Sequence, residues 1–502
     1  MISIRQTAVE KVTLAGIFLS GFLLRLMLFL PERSFWYDEW TSIQFAQRSA
    51  WQAVLFAVRD THPPLYFIVL HFFIRALGFD HTAFQLPSLI FGFSVPVLLY
   101  FLTEELFDRK TALLAAGFAS VSPFLIHLSL EVRNHGIIIA LSLAAVYFFT
   151  LVLKTGARVS KLAYQASMLI GLYSHHLSWF VFAALAVWHY SCKKGSFKLH
   201  APVLLLGLPA LGILIYHLFL HHEISFHEDA FSVFTIVKRA LVVYWYWLCG
   251  PQFYVYSNRL IAGYLKTSFY FWVCAVFFIL SLSIAVRGMR NLPKYRPLLF
   301  FLSFMSFGIV LILSITSPSR VDTRYLAFCM PFFLIFMARG VSILSFKSAA
   351  FFCGVFIFVA LKAIFLMTTL GQDPLHRQDY IKMTRFIAAH SGAEDIVARY
   401  IPTHSRQKDI ILADDISPVD YYLKKLSISF KGAWISDWHE LKHQNTRSVR
   451  NIWIIEAPPP HADDTPAVDK RLMHLGFKPG GITTIGDEFG ALYVYQFTNT
   501  RT

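Results

Sequence analysis

Two acids and several bases stand at the ends of apolar runs, where side chains of their kind could do chemistry. Asp38 and Glu39 lie in FWYDEW at 35–40, among Phe35, Trp36, Tyr37 and Trp40. Adjacent carboxylates in so aromatic a setting carry a solvation cost that a bound partner would offset. A carboxylate tuned by apolar surroundings or a nearby cation can act as a general base. His62 stands in DTHPPLY at 60–66, where Pro63 and Pro64 hold it extended. A His so placed can bind metal, bind phosphate or accept a proton. LSLEVRN at 128–134 supplies a second acid, Glu131, and the planar fork of Arg133, which suits phosphate or carboxylate. LYSHHLS at 172–178 holds Tyr173 and His175, and SPSRVDTRYLAFCMP at 317–331 holds Arg320 and Arg324. Cations at the edge of apolar runs invite an anionic headgroup. Each stretch also has a plainer reading. Asp38 and Glu39 could be solvated acids at a helix start, and His62 a turn residue. Glu131 and Arg133 could form a local ion pair, and the two arginines could snorkel.

The elements that must hold these residues follow from composition. The chain has 502 residues, 56% hydrophobic, 17% aromatic and only 15% charged, against about 25% charged in soluble domains. It has too little polar surface to cover itself, which excludes a cytosolic enzyme, a disordered chain and a fibrous repeat. The fold class expected is mainly α: a polytopic helical membrane protein. The net charge of +15 does not point to nucleic acid, because Lys and Arg fall in short loops between apolar runs, as topology signals do. The five cysteines are scattered, without CxxC spacing or a disulfide framework.

About eleven spans are expected, near 12–30, 84–104, 111–129, 134–153, 162–174, 176–191, 201–220, 267–286, 297–315, 325–344 and 348–369. The first reads as a retained signal anchor, since Pro31, Glu32 and Arg33 follow it without a cleavage site. Lys and Arg at 109–110, 154–161, 193–198 and 287–296 mark inside loops. Alternation then requires that 63–78, short and carrying His71 and Arg75, lie in the interface rather than cross; the alternative is a short twelfth span, which would put the two acidic motifs on opposite sides. On this reading 1–369 is a transmembrane catalytic domain with external loops 31–83 and 221–266, and 370–502 is an external soluble α/β domain. In that tail, 376–390, 419–426 and 466–475 read as helices, and 409–414, 451–457 and 491–497 as strands. The sequence contains no Walker lysine loop and no GxSxG elbow.

Taken in order, WYDEWTS, HPPLYFIVLHF, QLPSLIFGF, EVRNHGIIIALSL, LYSHHLSWF and SRVDTRYLAFCMPFFLIFMARG resemble segments of the GT-C integral-membrane glycosyltransferases. The likeness is to the bacterial PMT-like group of protein O-mannosyltransferases and aminoarabinose transferases, over roughly 12–345. The resemblance implies an external-face glycosyltransferase of the inner (plasma) membrane. Its donor would be a hexose or pentose linked to polyprenyl phosphate, and its acceptor an envelope lipid, glycan or protein. Asp38 would be the base or a metal-linked carboxylate, with Glu131 as the second acid. Glu39, His62, Arg133, Tyr173, His175, Arg320 and Arg324 are expected to bind substrate. A divalent metal (Mg, Mn or Zn) could use Asp38, Glu131 and His62; otherwise no cofactor is expected. A single base acting on the acceptor implies inversion, in contrast with the paired acids of hydrolases. The rival class is a transporter or flippase of lipid-linked saccharides, for which charges should line the spans. Here the notable charges gather at one face, and Arg25 is the main exception. A third reading is a structural envelope protein that docks through its C-terminal domain.

Overall fold

In the computed structural model the apolar runs fold as helices whose ends fall where caps and prolines stop them. The structure describes residues 8–29, 35, 37–60, 62–193, 197–220, 233–250, 268–290, 296–316 and 323–369, and the strands 396–399, 433–435, 451–456, 477–485 and 492–499. The chain divides into two compact units. The first comprises Met1–Pro31, Phe45–Phe253 and Leu265–Thr368, and the second Glu32–Gln44, Tyr254–Tyr264 and Thr369–Thr502.

In chain order the helices are α1 (Ala8–Phe29), α2 (Tyr37–Gln47), α3 (Ala50–Arg59), α4 (Leu65–Leu77), α5 (His81–Leu106), α6 (Arg109–Val121), α7 (Pro123–Leu128) and α8 (His135–Thr155). They continue with α9 (Arg158–Ser174), α10 (Ser178–Lys193), α11 (Ala201–Leu220), α12 (Val233–Cys249), α13 (Phe269–Gly288), α14 (Arg296–Thr316), α15 (Met330–Ser342) and α16 (Phe346–Thr369). By length and composition, five described stretches can cross a membrane: Ala8–Phe29, His81–Leu106, His135–Thr155, Phe269–Gly288 and Phe346–Leu366. Shorter apolar stretches are Leu65–Leu77, Ala201–Tyr216, Leu298–Leu311 and Ala327–Ser342. At about 1.5 Å per residue, α4 measures about 20 Å, the same as the other 13-residue helices α6 and α15, so length alone does not set it apart from them. Its His71 is satisfied by the Ala46 carbonyl at 2.8 Å.

One expectation is corrected. The run at 111–129 is not one helix: Ser122 ends α6 and its hydroxyl caps α7 at the Leu125 N–H, 3.3 Å away. Pro123 has no N–H with which to continue the ladder and restricts the residue before it. The external loops expected at 31–83 and 221–266 carry helices: α2, α3 and α4 in the first, α4 being the helix expected at 63–78, and α12 in the second. A capping box formed by Ser49 and Gln52 starts α3.

Arg25, deep in α1, is fully buried. Its guanidinium donates to the carbonyls of Gly21 and Ser120, both at 2.9 Å, and to Ala119 at 3.5 Å. Ala119 and Ser120 lie in the last turn of α6, whose carbonyls have no helical partner. This arginine therefore closes a helix end.

The site-bearing part of the first unit depends on close contact between α5 and the 129–136 segment. A Cβ on Gly92 would lie 2.0 Å from the Ser129 Cβ, and one on Gly136 would lie 3.3 Å from the Ser88 carbonyl oxygen. At position 92 only glycine permits that approach, and at 136 a side chain would press on the Ser88 carbonyl. The approach seats the short loop between α7 and α8 directly on α5.

In the second unit the strands β1 (Ile396–Arg399), β2 (Ala433–Ile435), β3 (Asn451–Glu456), β4 (Phe477–Ile485) and β5 (Leu492–Asn499) form a mixed sheet of order β2-β1-β3-β5-β4. β1 runs parallel to β2 and β3, with Ile396 opposite Ala433 and Ile452. β5 is antiparallel to β3 and β4, with Phe497 opposite Ile452 and Tyr495 opposite Ile482. The strands expected at 451–457 and 491–497 match β3 and β5. The strand expected at 409–414 and the tail helices fall outside the described residues. β4 is not among the expected strands; its Pro479, Gly480 and Gly481 are residue types that weaken a strand interior. The structure accommodates them at an irregularity of an edge strand.

Candidate active site

The loop between α7 and α8 is pinned from three helices. Gln85 of α5 donates to the Leu130 carbonyl at 3.0 Å. Ser88 of α5 donates to the Arg133 carbonyl at 3.4 Å, and accepts the Tyr66 hydroxyl proton from α4 at 2.9 Å. Asn134, just before α8, donates to the Ser174 carbonyl at the end of α9, 3.0 Å away. The loop is closed on itself by the Arg133 N–H to the Glu131 carbonyl, 2.7 Å. Glu131 and Arg133 thus stand on a rigid, buried turn.

Glu131 Oε1 accepts from Arg324 Nη1 at 2.8 Å, and the two side chains are 0% and 12% exposed. His135, one helical turn on, brings its Nε2 to 4.0 Å from Oε2. Arg133 Nη2 lies 3.1 Å from His62 Nε2, and His62 Nδ1 lies 3.1 Å from Asp60 Oδ2. The rings of His135, His175 and Tyr325 pack around the pair, with centroids 5.9–6.4 Å apart. The arrangement offers two guanidinium groups, each held by an acceptor, beside aromatic rings. Such a set can bind a phosphate with preset geometry.

His175, in the turn between α9 and α10, accepts the Leu177 N–H on Nδ1 at 3.1 Å, so its proton sits on Nε2. Burial first, then the neighbouring His135, His62, His176 and Arg133, hold its pKa well below the ordinary value. The sign follows by linkage. Below about pH 6.5 the unfolded chain binds a proton that the folded chain refuses, so stability falls as pH falls. Thermal unfolding followed from about pH 7.5 to about pH 5 should show a falling midpoint. His175→Gln should flatten that fall, and equal slopes in both proteins would remove His175 from this account.

Of the residues singled out from sequence, Glu131, Arg133, Arg324, His62 and His175 come together here. Tyr173 does not join them, since its hydroxyl donates to the Leu206 carbonyl of α11 at 2.9 Å. Arg320 falls outside the described residues. Asp38 and Glu39 lie in the second unit, in the first turn of α2, where acids favour the helix dipole. Glu39 is buried and Asp38 half-buried, and the Asp38 carbonyl accepts the Ser42 hydroxyl at 2.9 Å. Three contributors escaped the sequence reading: Asp60, His135 and Tyr325. Asp60 is two residues before His62, His135 is four after Glu131, and Tyr325 adjoins Arg324.

Among the described residues no three His, Cys, Asp or Glu side chains gather to hold a metal ion. His62 has both ring nitrogens engaged and Glu131 has one oxygen on Arg324. As arranged, these two residues do not fit the metal-ligand role expected of them.

Residues 61–221, which include His62, Glu131, Arg133, Tyr173 and His175, match the family model described as dolichyl-phosphate-mannose-protein mannosyltransferase. No curated protein matches the chain in sequence. In structure the chain is similar to ArnT from Cupriavidus metallidurans bound to undecaprenyl phosphate, with TM-score 0.55, 12% identity and 98% of both chains covered. The apo state of that protein gives 0.53, 12% and 97% of both chains. The apo oligosaccharyltransferase of Archaeoglobus fulgidus gives 0.50 and 10%, covering 90% of this chain and 70% of the other. At these identities the likeness is one of fold. Over residues 61–221 the chain is thus similar to the dolichyl-phosphate-mannose-protein mannosyltransferase family, and along nearly its whole length it shares the fold of ArnT.

Proposed function

We propose that this protein is a membrane glycosyltransferase that moves a sugar from a polyprenyl-phosphate-linked donor to an envelope acceptor on the external face. The observation that carries the proposal is the buried Glu131–Arg324 pair beside Arg133 on a pinned turn. Uncompensated burial of charge is costly, and a site that keeps two arginines beside an apolar slab suits an anionic headgroup. The ArnT structure similar to this chain holds undecaprenyl phosphate, a lipid of the class proposed here.

In this reading the prenyl tail lies in the bilayer and the phosphate meets Arg324 and Arg133; Arg320 is proposed as a further ligand. Asp38 takes the proton of the acceptor hydroxyl. The acceptor oxygen attacks the sugar C1, and the C1–O bond to phosphate breaks with its electron pair going to the phosphate. The anomeric centre inverts and polyprenyl phosphate leaves. Glu131 acts by holding Arg324 rather than by proton transfer. No metal is needed for this sequence of bond changes. Eleven crossings, with α4 in the interface and 370–502 outside as an α/β domain, complete the proposed topology.

The rival flippase loses its main sequence support, because Arg25 binds helix carbonyls instead of lining a path. Sidedness is tested by single cysteines near 38 and 131, labelled from outside intact cells on a background without the native cysteines. Both should label. Labelling at 38 but not at 131 would mean that α4 crosses the membrane, which splits the site and removes the mechanism.

A further inference from the structure

Asp60 has no part in the mechanism above, yet its carboxylate ends a chain that reaches the site. Asp60 Oδ2 is 3.1 Å from His62 Nδ1, and His62 Nε2 is 3.1 Å from Arg133 Nη2. A guanidinium has donors only. Nε2 must therefore accept, and the proton of His62 sits on Nδ1, pointing at Asp60. A carboxylate accepts only, so it favours that same tautomer. The two contacts are consistent in one arrangement of protons and in no other. The ring is fixed further by its edge-to-face contact with Phe67, centroids 6.2 Å apart. The turn itself hangs from α3, through the Asp60 N–H to Phe56 and the His62 N–H to Ala57, at 2.9 and 3.3 Å.

We propose that Asp60 and His62 are positioning residues: Asp60 sets the His62 tautomer, and the His62 ring then fixes the plane of the Arg133 guanidinium. This rests on the reading of Arg133 as a ligand of the donor phosphate, and it moves His62 from substrate binding to a supporting role. The physical reason for such a device is the planarity of arginine. Its donors lie in one fork, so fixing one corner aims the others, and less ordering remains to be done when an anion arrives. The chain also joins two loops distant in sequence, 60–64 and 129–134, at the level of the Glu131–Arg324 pair.

The variants separate this role from simple packing. Asn at 60 can accept or donate, so Asp60→Asn removes the tautomer bias with little change of shape. With Nε2–H then available, two donors would face each other at Arg133. Gln at 62 carries one acceptor and one donor group, so His62→Gln can keep both contacts, whereas His62→Ala cannot.

The experiment is a double-mutant cycle on the full purified chain in detergent, with binding of undecaprenyl phosphate as the readout. It is paired with the ¹⁵N signals of His62, which report its tautomer. The wild type should show His62 with Nδ1 protonated. Asp60→Asn should weaken binding about five- to tenfold, the upper scale of an ordinary intramolecular hydrogen bond. It should have no further effect in Arg133→Ala or His62→Ala backgrounds, and His62→Gln should keep most of the affinity. Equal losses from Asp60→Asn with and without Arg133, or His62 protonated on Nε2 in the wild type, would overturn the proposal. If the wild type binds no undecaprenyl phosphate, the donor reading fails instead. The tautomer signal then decides alone: a shift in Asp60→Asn supports the positioning role, and an unchanged signal overturns it.

Discussion

Replacing Asp38 by Asn should abolish sugar transfer while leaving the protein folded. Asn is close in size and keeps the backbone of the first turn of α2, including the carbonyl that accepts from Ser42. It cannot take a proton from an acceptor hydroxyl. Loss of a general base removes about 10²- to 10⁴-fold of rate, so turnover should drop by at least two orders of magnitude. The thermal unfolding midpoint and donor binding should stay near those of the wild type. Glu39→Gln should reduce transfer less. Because Glu39 is buried, its effect should fall more on stability. Normal turnover by well-folded Asp38→Asn protein would end the assignment of Asp38 as the base.

Breaking the Glu131–Arg324 pair should have the largest effect on stability. The carboxylate is fully buried and the guanidinium nearly so. Removing one partner of a buried pair typically costs about 3–5 kcal/mol, because the other charge stays uncompensated. Glu131→Gln should therefore lower the unfolding midpoint strongly and weaken donor binding, since Arg324 loses the acceptor that aims it. Arg324→Ala should weaken donor affinity tenfold or more. The double variant Glu131→Gln/Arg324→Gln should be more stable than either single charge-removing change, yet inactive. The three melting curves and one donor titration check this. Wild-type stability and donor affinity in Glu131→Gln would show that the pair supports neither folding nor binding.

The two kinds of result, site and fold, were not equally legible in the sequence. Apolar length and flanking charge gave the helices of the membrane part, because the bilayer makes internal hydrogen bonding obligatory and helices its simplest form. The break at Ser122–Pro123 follows from a local rule, yet the continuous apolar run around it concealed it. Glu131 and Arg324 were each marked by residue type, but their pairing was not, since 193 positions separate them and only packing brings them together. Asp60 was printed inside the same motif as His62. Its role depends on ring orientation, which spacing alone does not reveal. Tyr173 was chosen for being near His175. Residues two apart at the end of a helix point about 200° apart, which sends its hydroxyl to α11 and not to the cluster. In the tail, β3 and β5 are continuous apolar or aromatic runs and could be read, whereas β4 carries a Pro-Gly-Gly sequence that local rules assign to a turn.

The central claim is that this membrane protein performs chemistry on a lipid-linked sugar rather than moving it. Release of polyprenyl phosphate tests that most directly. Purified protein would be given a polyprenyl-phosphate-linked sugar with the phosphate-bearing lipid labelled, with and without an extract of envelope acceptors, and the freed lipid phosphate quantified. The account predicts release that depends on acceptor and disappears in Asp38→Asn. Binding of the donor, or its passage across vesicles, with no acceptor-dependent release would contradict it.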